Sequence, residues 1–176
     1  MKLNLFSIPV YICNVDLEKI KIENKDVEKT WLSETPSSFN FENNLSQESS
    51  SYILGKIANL LKKDFNFAFN ITLQNIWQNF YKNNDYQEKH NHPGSHFSFI
   101  IYKDIKESQT VLFNPCENLI ESYYKDFKDI GHAIDYYYQP ECTQGQMLLF
   151  PSFLIHMVKK NNNSSTIAGN IVIKKN

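Results

Sequence analysis

Over the second half of the chain, apolar and polar residues recur at strand-like intervals. The runs Phe69–Tyr81, His96–Lys103, Thr110–Phe113, Ile134–Tyr138, Gln146–Phe150 and Ile167–Ile173 have the length and the β-branched or aromatic enrichment of strands. Turn-forming pieces punctuate them at Asn83-Asn84-Asp85, Pro93-Gly94 and Asn161-Asn162-Asn163-Ser164. Nearer the start, Leu3–Cys13 alternates, with Phe6, Ile8, Val10 and Ile12 on one face, and predicts an opening strand. Helical spacing is clear in Tyr52–Lys63, where Ile53, Leu54, Ile57, Leu60 and Leu61 share a stripe and the preceding serines offer an N-cap. The Ser-, Asn- and Glu-rich stretch Ser33–Ser51 reads as a loop, and a short helix is expected near Leu119–Phe127. Many short strands after one helical element predict a mainly-β protein, a double-sheet jelly roll with a flanking N-terminal helix. The expected organisation is a single domain, with residues 1–66 supporting a barrel formed by residues 67–176.

Composition narrows the function. At 41% hydrophobic and 14% aromatic residues, the 176-residue chain can bury a sizeable core. A net charge of −1 gives no bulk electrostatic case for binding nucleic acid or an anionic membrane. No stretch is apolar enough to span a bilayer or to serve as a secretory leader, so a cytoplasmic location is expected. Cys13, Cys116 and Cys142 are odd in number and lack CxxC spacing, as expected of free thiols in a reducing compartment. All eighteen basic residues are lysines. The lack of arginine matters, because only arginine presents a planar, two-pronged donor to a carboxylate.

The candidate chemistry lies in His90-Asn91-His92-Pro93 and, far downstream, in Gly145 to His156. Side chains at i and i+2 of a strand share a face, so His90 and His92 can grip one ion, and His156 can close the site from a distant strand. Three histidines on a barrel leave coordination positions open for chemistry. The single histidines His96 and His132 read as structural or solvated. Trp77, Phe97, Phe99 and Phe150 read as core, and Lys62-Lys63 as a solvated helix end. Tyr136-Tyr137-Tyr138 reads as a strand with one buried face, with a substrate groove as the alternative.

The segment Asn75 to Tyr102, with Trp77-x-Asn79-x-Tyr81, then His90-x-His92-Pro93-x-Ser95, and the late Gly145-x-x-x-x-Phe150-Pro151-Ser152-x-Leu154-x-His156, resembles the Fe(II)/2-oxoglutarate-dependent oxygenases. The likeness is to the prolyl-4-hydroxylase-like branch common in bacteriophages. It implies a double-stranded β-helix, with Fe(II) and 2-oxoglutarate as cofactors. His90 and His156 then match the two histidine ligands, and His92 falls where most members carry a carboxylate, Glu88 being the nearby carboxylate able to substitute. Asn79 and Tyr81 match positions that hydrogen-bond 2-oxoglutarate, as do Tyr102, Thr166 and Asn170. The arginine that such relatives aim at the distal carboxylate of the cosubstrate falls at Ser164, so Lys103, Lys159 or Lys174 is the expected point charge.

The implied reaction is hydroxylation of a C–H bond, at a prolyl or other peptide residue, with molecular oxygen and a small-molecule or peptide substrate as partners. The residues leave two rivals open. One is a three-histidine cupin-type metalloenzyme that needs no keto acid, supported by Gly145, Pro151 and His156. The other is a non-catalytic barrel that binds a partner, supported by the missing arginine.

Overall fold

The computed structural model describes residues 7–23, 26–30, 33–43, 45–116, 118, 135–161 and 163–175, and over these residues the chain folds into antiparallel strands with one long helix. In order these are β1 (Tyr11–Asn14), a 3-10 turn (Leu17–Lys19), β2 (Glu28–Thr30), β3 (Ser33–Ser37), α1 (Gln47–Leu61), β4 (Phe69–Tyr81) and β5 (Asp85–His90). There follow β6 (Phe97–Asp104), β7 (Thr110–Phe113), β8 (Tyr137–Tyr138), β9 (Gln146–Pro151), β10 (His156–Asn161) and β11 (Ser164–Lys175). Neighbours run β1-β9-β6-β11-β4-β3-β5-β10-β7-β8, with β2 attached to β3. The architecture is the expected mainly-β jelly roll.

Period-two alternation explains why the central strands read as nearly continuous apolar runs: both of their faces are buried. In β6, Phe97, Phe99 and Ile101 pack outward under α1, against Ile53, Ile57 and Leu61. Their neighbours Ser98, Ile100 and Tyr102 face an interior cavity. β9 divides likewise, Met147 and Leu149 lying under the helix and Leu148 and Phe150 in the interior cluster. In β11, Ile167 and Ile171 face the helix while Thr166, Ala168 and Asn170 line the cavity. Each aliphatic side chain buried beneath α1 contributes about 1.5–3 kcal/mol.

Local signals set the joins. Ser46 caps α1, its hydroxyl accepting from the Ser49 backbone N–H at 3.1 Å. Asn83 and Asn84 both adopt positive φ, 55° and 65°, and so form the mirror-image two-residue turn that suits the hairpin β4–β5. The turn is locked where the Lys82 N–H donates to the Asp85 carboxylate at 2.7 Å. Gly94 (φ 86°) and Asn163 (φ 50°) occupy the other two expected turns.

Several expectations require correction. Of the alternating run Leu3–Cys13, only Tyr11 onward is strand, paired with β9 through Asn14; residues 1–6 lie outside the described set. The expected loop Ser33–Ser51 contains β3 and the first turn of α1, because the cap is Ser46 and not a serine of the later run. β3 has no apolar periodicity to announce it. It is held instead by buried hydroxyls, Thr35 donating to the Tyr86 carbonyl at 3.0 Å and Ser38 accepting from the Gln78 N–H at 2.8 Å. This polar strand closes the barrel by bridging β4 and β5. The helix expected near Leu119–Phe127, the residue His132 and the start of Ile134–Tyr138 lie outside the described residues. Among the described residues, no helix is long and apolar enough to cross a membrane.

Candidate active site

His90 ends β5 and His156 begins β10, and the two are direct register partners across that antiparallel pair. His92 follows two residues after His90, just past the strand, held where its backbone N–H donates to the Ser152 carbonyl at 3.0 Å. The three rings converge, with centroid separations of 4.2 Å (His90–His156), 5.1 Å (His92–His156) and 5.2 Å (His90–His92). One ring nitrogen from each lies within 4.8 Å of the others. His90 and His92 are thus brought together with His156, although the second histidine sits on a loop and not within the strand, so a shared strand face is not what aligns them.

Backbone carbonyls orient two of these rings. Nδ1 of His90 lies 2.6 Å from the Glu88 carbonyl, and Nδ1 of His156 lies 3.0 Å from the Leu154 carbonyl. A carbonyl only accepts, so each Nδ1 carries the proton and each Nε2 keeps a lone pair to give to an ion. Burial, the largest cause, lowers the pKa of all three. His92 falls to about 4, helped by its neighbour His90, and His156 falls well below the ordinary range. Desolvation lowers His90 too, against the opposing pull of the Glu88 carbonyl. Three neutral imidazoles at pH 7 are the form that binds a transition metal. The Glu88 side chain is exposed and takes no part in the cluster; its contribution is its backbone oxygen.

The histidines line one wall of a cavity of about 410 Å³. Asn79, Tyr81, Tyr102, Thr166 and Asn170, all singled out in the sequence, line the same cavity. β4, β6 and β11 deliver them, because Thr166 is in register with both Asn79 and Tyr102, and Asn170 with Ser98. The Gln87 amide donates to Asn79 Oδ1 at 3.3 Å, and Asn79 Nδ2 donates to the Thr166 hydroxyl at 3.3 Å. Tyr102 donates to Thr110 Oγ1 at 2.9 Å and accepts from the Ser108 hydroxyl at 3.0 Å. Desolvation, above all, raises the pKa of both Tyr81 and Tyr102, which keeps these phenols neutral donors. The side-chain oxygen of Asn170 is engaged by Ser98, which donates to it at 2.7 Å.

Three residues of this wall carry no motif in the sequence: Gln87, Thr110 and Ser98. Gln87 lies in a polar hairpin strand, Thr110 opens a short strand, and Ser98 interrupts an apolar one. The lysines expected to supply a point charge do not reach the cavity. Lys103 and Lys174 are exposed, and Lys159 donates to Gln139 Oε1 at 2.7 Å on the outside. Among the described residues, none that lines the cavity carries a formal charge. His96 has the structural role expected of it, its Nδ1 accepting from the Ile173 N–H at 2.8 Å.

The wider mouth is aromatic. Phe39, 48% exposed, stands edge-on to Trp77 at 5.0 Å, and Trp77 in turn lies 5.5 Å from the His92 ring. Trp77 and Phe150 belong to the core cluster as expected, and Phe150 also packs against His156 at 4.8 Å. Tyr137 and Tyr138, 55% and 61% exposed, do not form the half-buried strand that their spacing suggests.

Residues 75–168 match the family described as "Putative 2OG-Fe(II) oxygenase". No curated protein matches the chain in sequence. Solved structures share the fold at low identity. A prolyl-4-hydroxylase from Pseudomonas putida aligns at 11% identity with a TM-score of 0.54, over 83% of this chain and 76% of that one. An oxidoreductase of the 2OG-Fe(II) oxygenase family from Burkholderia pseudomallei aligns at 10% identity with a TM-score of 0.48, over 93% and 68%.

Proposed function

The chain belongs to the 2-oxoglutarate- and Fe(II)-dependent oxygenases, and we propose that within this family it hydroxylates a C–H bond of a prolyl or other peptide residue, with His90, His92 and His156 as its metal ligands. The observation that carries the ligand assignment is the convergence of three neutral imidazoles, one buried and two half-buried, on one wall of a single cavity. The donor set fits a divalent transition metal: two rings are fixed by carbonyls behind them, which leaves Nε2 free. It departs from the common two-histidine, one-carboxylate arrangement, since no carboxylate joins the cluster among the described residues. Bound iron supplies the redox chemistry by which O₂ and 2-oxoglutarate become CO₂, succinate and one oxygen atom inserted into the substrate.

The chain's own residues have separable tasks in this reading. Asn79 and Tyr81 donate to the cosubstrate, and Tyr102 and Thr166 lie beside them on the same wall. The apolar side chains Ile100, Phe150 and Ala168 restrict water next to the histidines. A peptide substrate is supported by the aromatic mouth, where the exposed Phe39 stands edge-on to Trp77, itself beside His92. The Pseudomonas putida neighbour that shares the fold is a prolyl-4-hydroxylase.

The test is turnover. Iron-loaded protein supplied with O₂ and 2-oxoglutarate should release succinate, and proline-containing peptides should accelerate that release and gain one oxygen atom by mass spectrometry. Succinate release that no peptide stimulates would reject the peptide substrate while leaving the family chemistry in place.

A further inference from the structure

Resting on the family reading above, one question remains at the far end of the cavity: what meets the second carboxylate of 2-oxoglutarate. This chain has no arginine anywhere, and among its described residues no lysine lines the cavity. What lies there is a cluster of hydroxyls. Tyr81 is hydrogen-bonded to Thr166, Tyr102 to Thr110, and all four side chains line the cavity while being 6% exposed or less. Ser164, at the position where the family resemblance places the arginine, lies on the same face of β11 as Thr166 and directly opposite Tyr81. Its hydroxyl is buried and has no hydrogen-bond partner among the described residues.

The spacing is suitable. Thr110 is the register partner of Val158, two residues along β10 from His156. Two strand residues span about 7 Å, comparable to the length of a five-carbon diacid anchored by its keto end at the histidines. Hydroxyl protons rotate freely, so a cluster bonded to itself when empty can turn its donors toward an anion. We infer that the distal carboxylate of 2-oxoglutarate is held by neutral hydroxyl donors alone, from Tyr81, Tyr102, Thr110 and Thr166, without a cationic partner.

The consequence is a modest preference for the dicarboxylate. Hydrogen bonds from neutral donors to a charged acceptor contribute, but a buried carboxylate also sheds its water with no countercharge to offset the loss. The experiment is calorimetric titration of the Ni(II)-loaded protein with 2-oxoglutarate and with 2-oxopentanoate, which has the same five-carbon chain without the second carboxylate. The expected preference for 2-oxoglutarate is about tenfold to hundredfold. Thr166→Val should lower 2-oxoglutarate affinity about tenfold and leave 2-oxopentanoate unchanged, the second ligand serving as the control for folding. Equal binding of both acids by the unsubstituted protein would overturn the inference while sparing the family reading. Binding of neither acid would overturn both.

Discussion

His90 and His156 face each other directly across β5 and β10, and each ring is anchored through Nδ1 to the carbonyl two residues before it in the chain. This repeated device orients both rings and leaves each Nε2 free to bind an ion. The carbonyl of Glu88 thus matters where its carboxylate does not.

Removal of either anchored ring should therefore abolish tight metal binding. His156→Ala and His90→Ala are expected to lose stoichiometric Fe(II) uptake, measured by anaerobic equilibrium dialysis, whereas Glu88→Gln should bind as before. A metal-binding loss in Glu88→Gln would bring that carboxylate back as a ligand. In the unsubstituted protein, metal at a hundred times its dissociation constant should stabilise the fold by about 2.7 kcal/mol.

The third ligand should tolerate exchange. His92 lies where most relatives carry a carboxylate, and its backbone is held by Ser152 independently of its ring. His92→Asp is expected to keep Fe(II) binding and to shift metal preference away from Ni(II) and Cu(II), since a hard anionic oxygen replaces a borderline nitrogen. Competition dialysis between Fe(II) and Ni(II) reads the shift, and an unchanged ratio would count against His92 as a ligand.

The metal-free protein should be acid-sensitive in a defined window. The unfolded chain titrates His92 near the ordinary histidine value of about 6.5, whereas the folded chain holds it at about 4. Below the first value the unfolded state takes up a proton that the folded state refuses, so stability falls with pH until the second is passed. Melting temperatures of the metal-free protein should decline from pH 6.5 toward 4. His92→Phe should show a shallower decline.

Gly169 is required by close packing and not by its backbone angle. A Cβ there would sit 2.5 Å from Phe99 Cζ and 2.8 Å from the Asn75 carbonyl oxygen. Gly169→Ala should cost about 1–3 kcal/mol through displacement of β6 or β4, read by urea denaturation. A neutral result would show that the strands at the cavity wall can part without strain.

The metal side of the site was legible because it depends on short-range spacing. His90-x-His92 and the turn residues Asn83-Asn84 announce a strand end and a hairpin without knowledge of the rest of the fold. The strands β6, β9 and β11 were legible from their apolar and aromatic runs, whereas the division of their two faces between helix and cavity follows only from the fold. β3 was not legible, because its buried partners are hydroxyls and a strand of Ser, Thr and Pro looks like a loop. The electrostatics of the cavity were half legible: the missing arginine is plain in the sequence, but only the fold shows that the available lysines point outward. Gln87 and Thr110 became visible only through their register with Val158.

Cosubstrate chelation at the three histidines is tested most directly by anaerobic addition of Fe(II), then 2-oxoglutarate, to the purified protein, followed by visible absorption spectroscopy. A weak metal-to-ligand charge-transfer band should appear, saturate at one 2-oxoglutarate per chain, and be absent from His156→Ala. Iron binding without the band, or the same band in His156→Ala, would contradict chelation there.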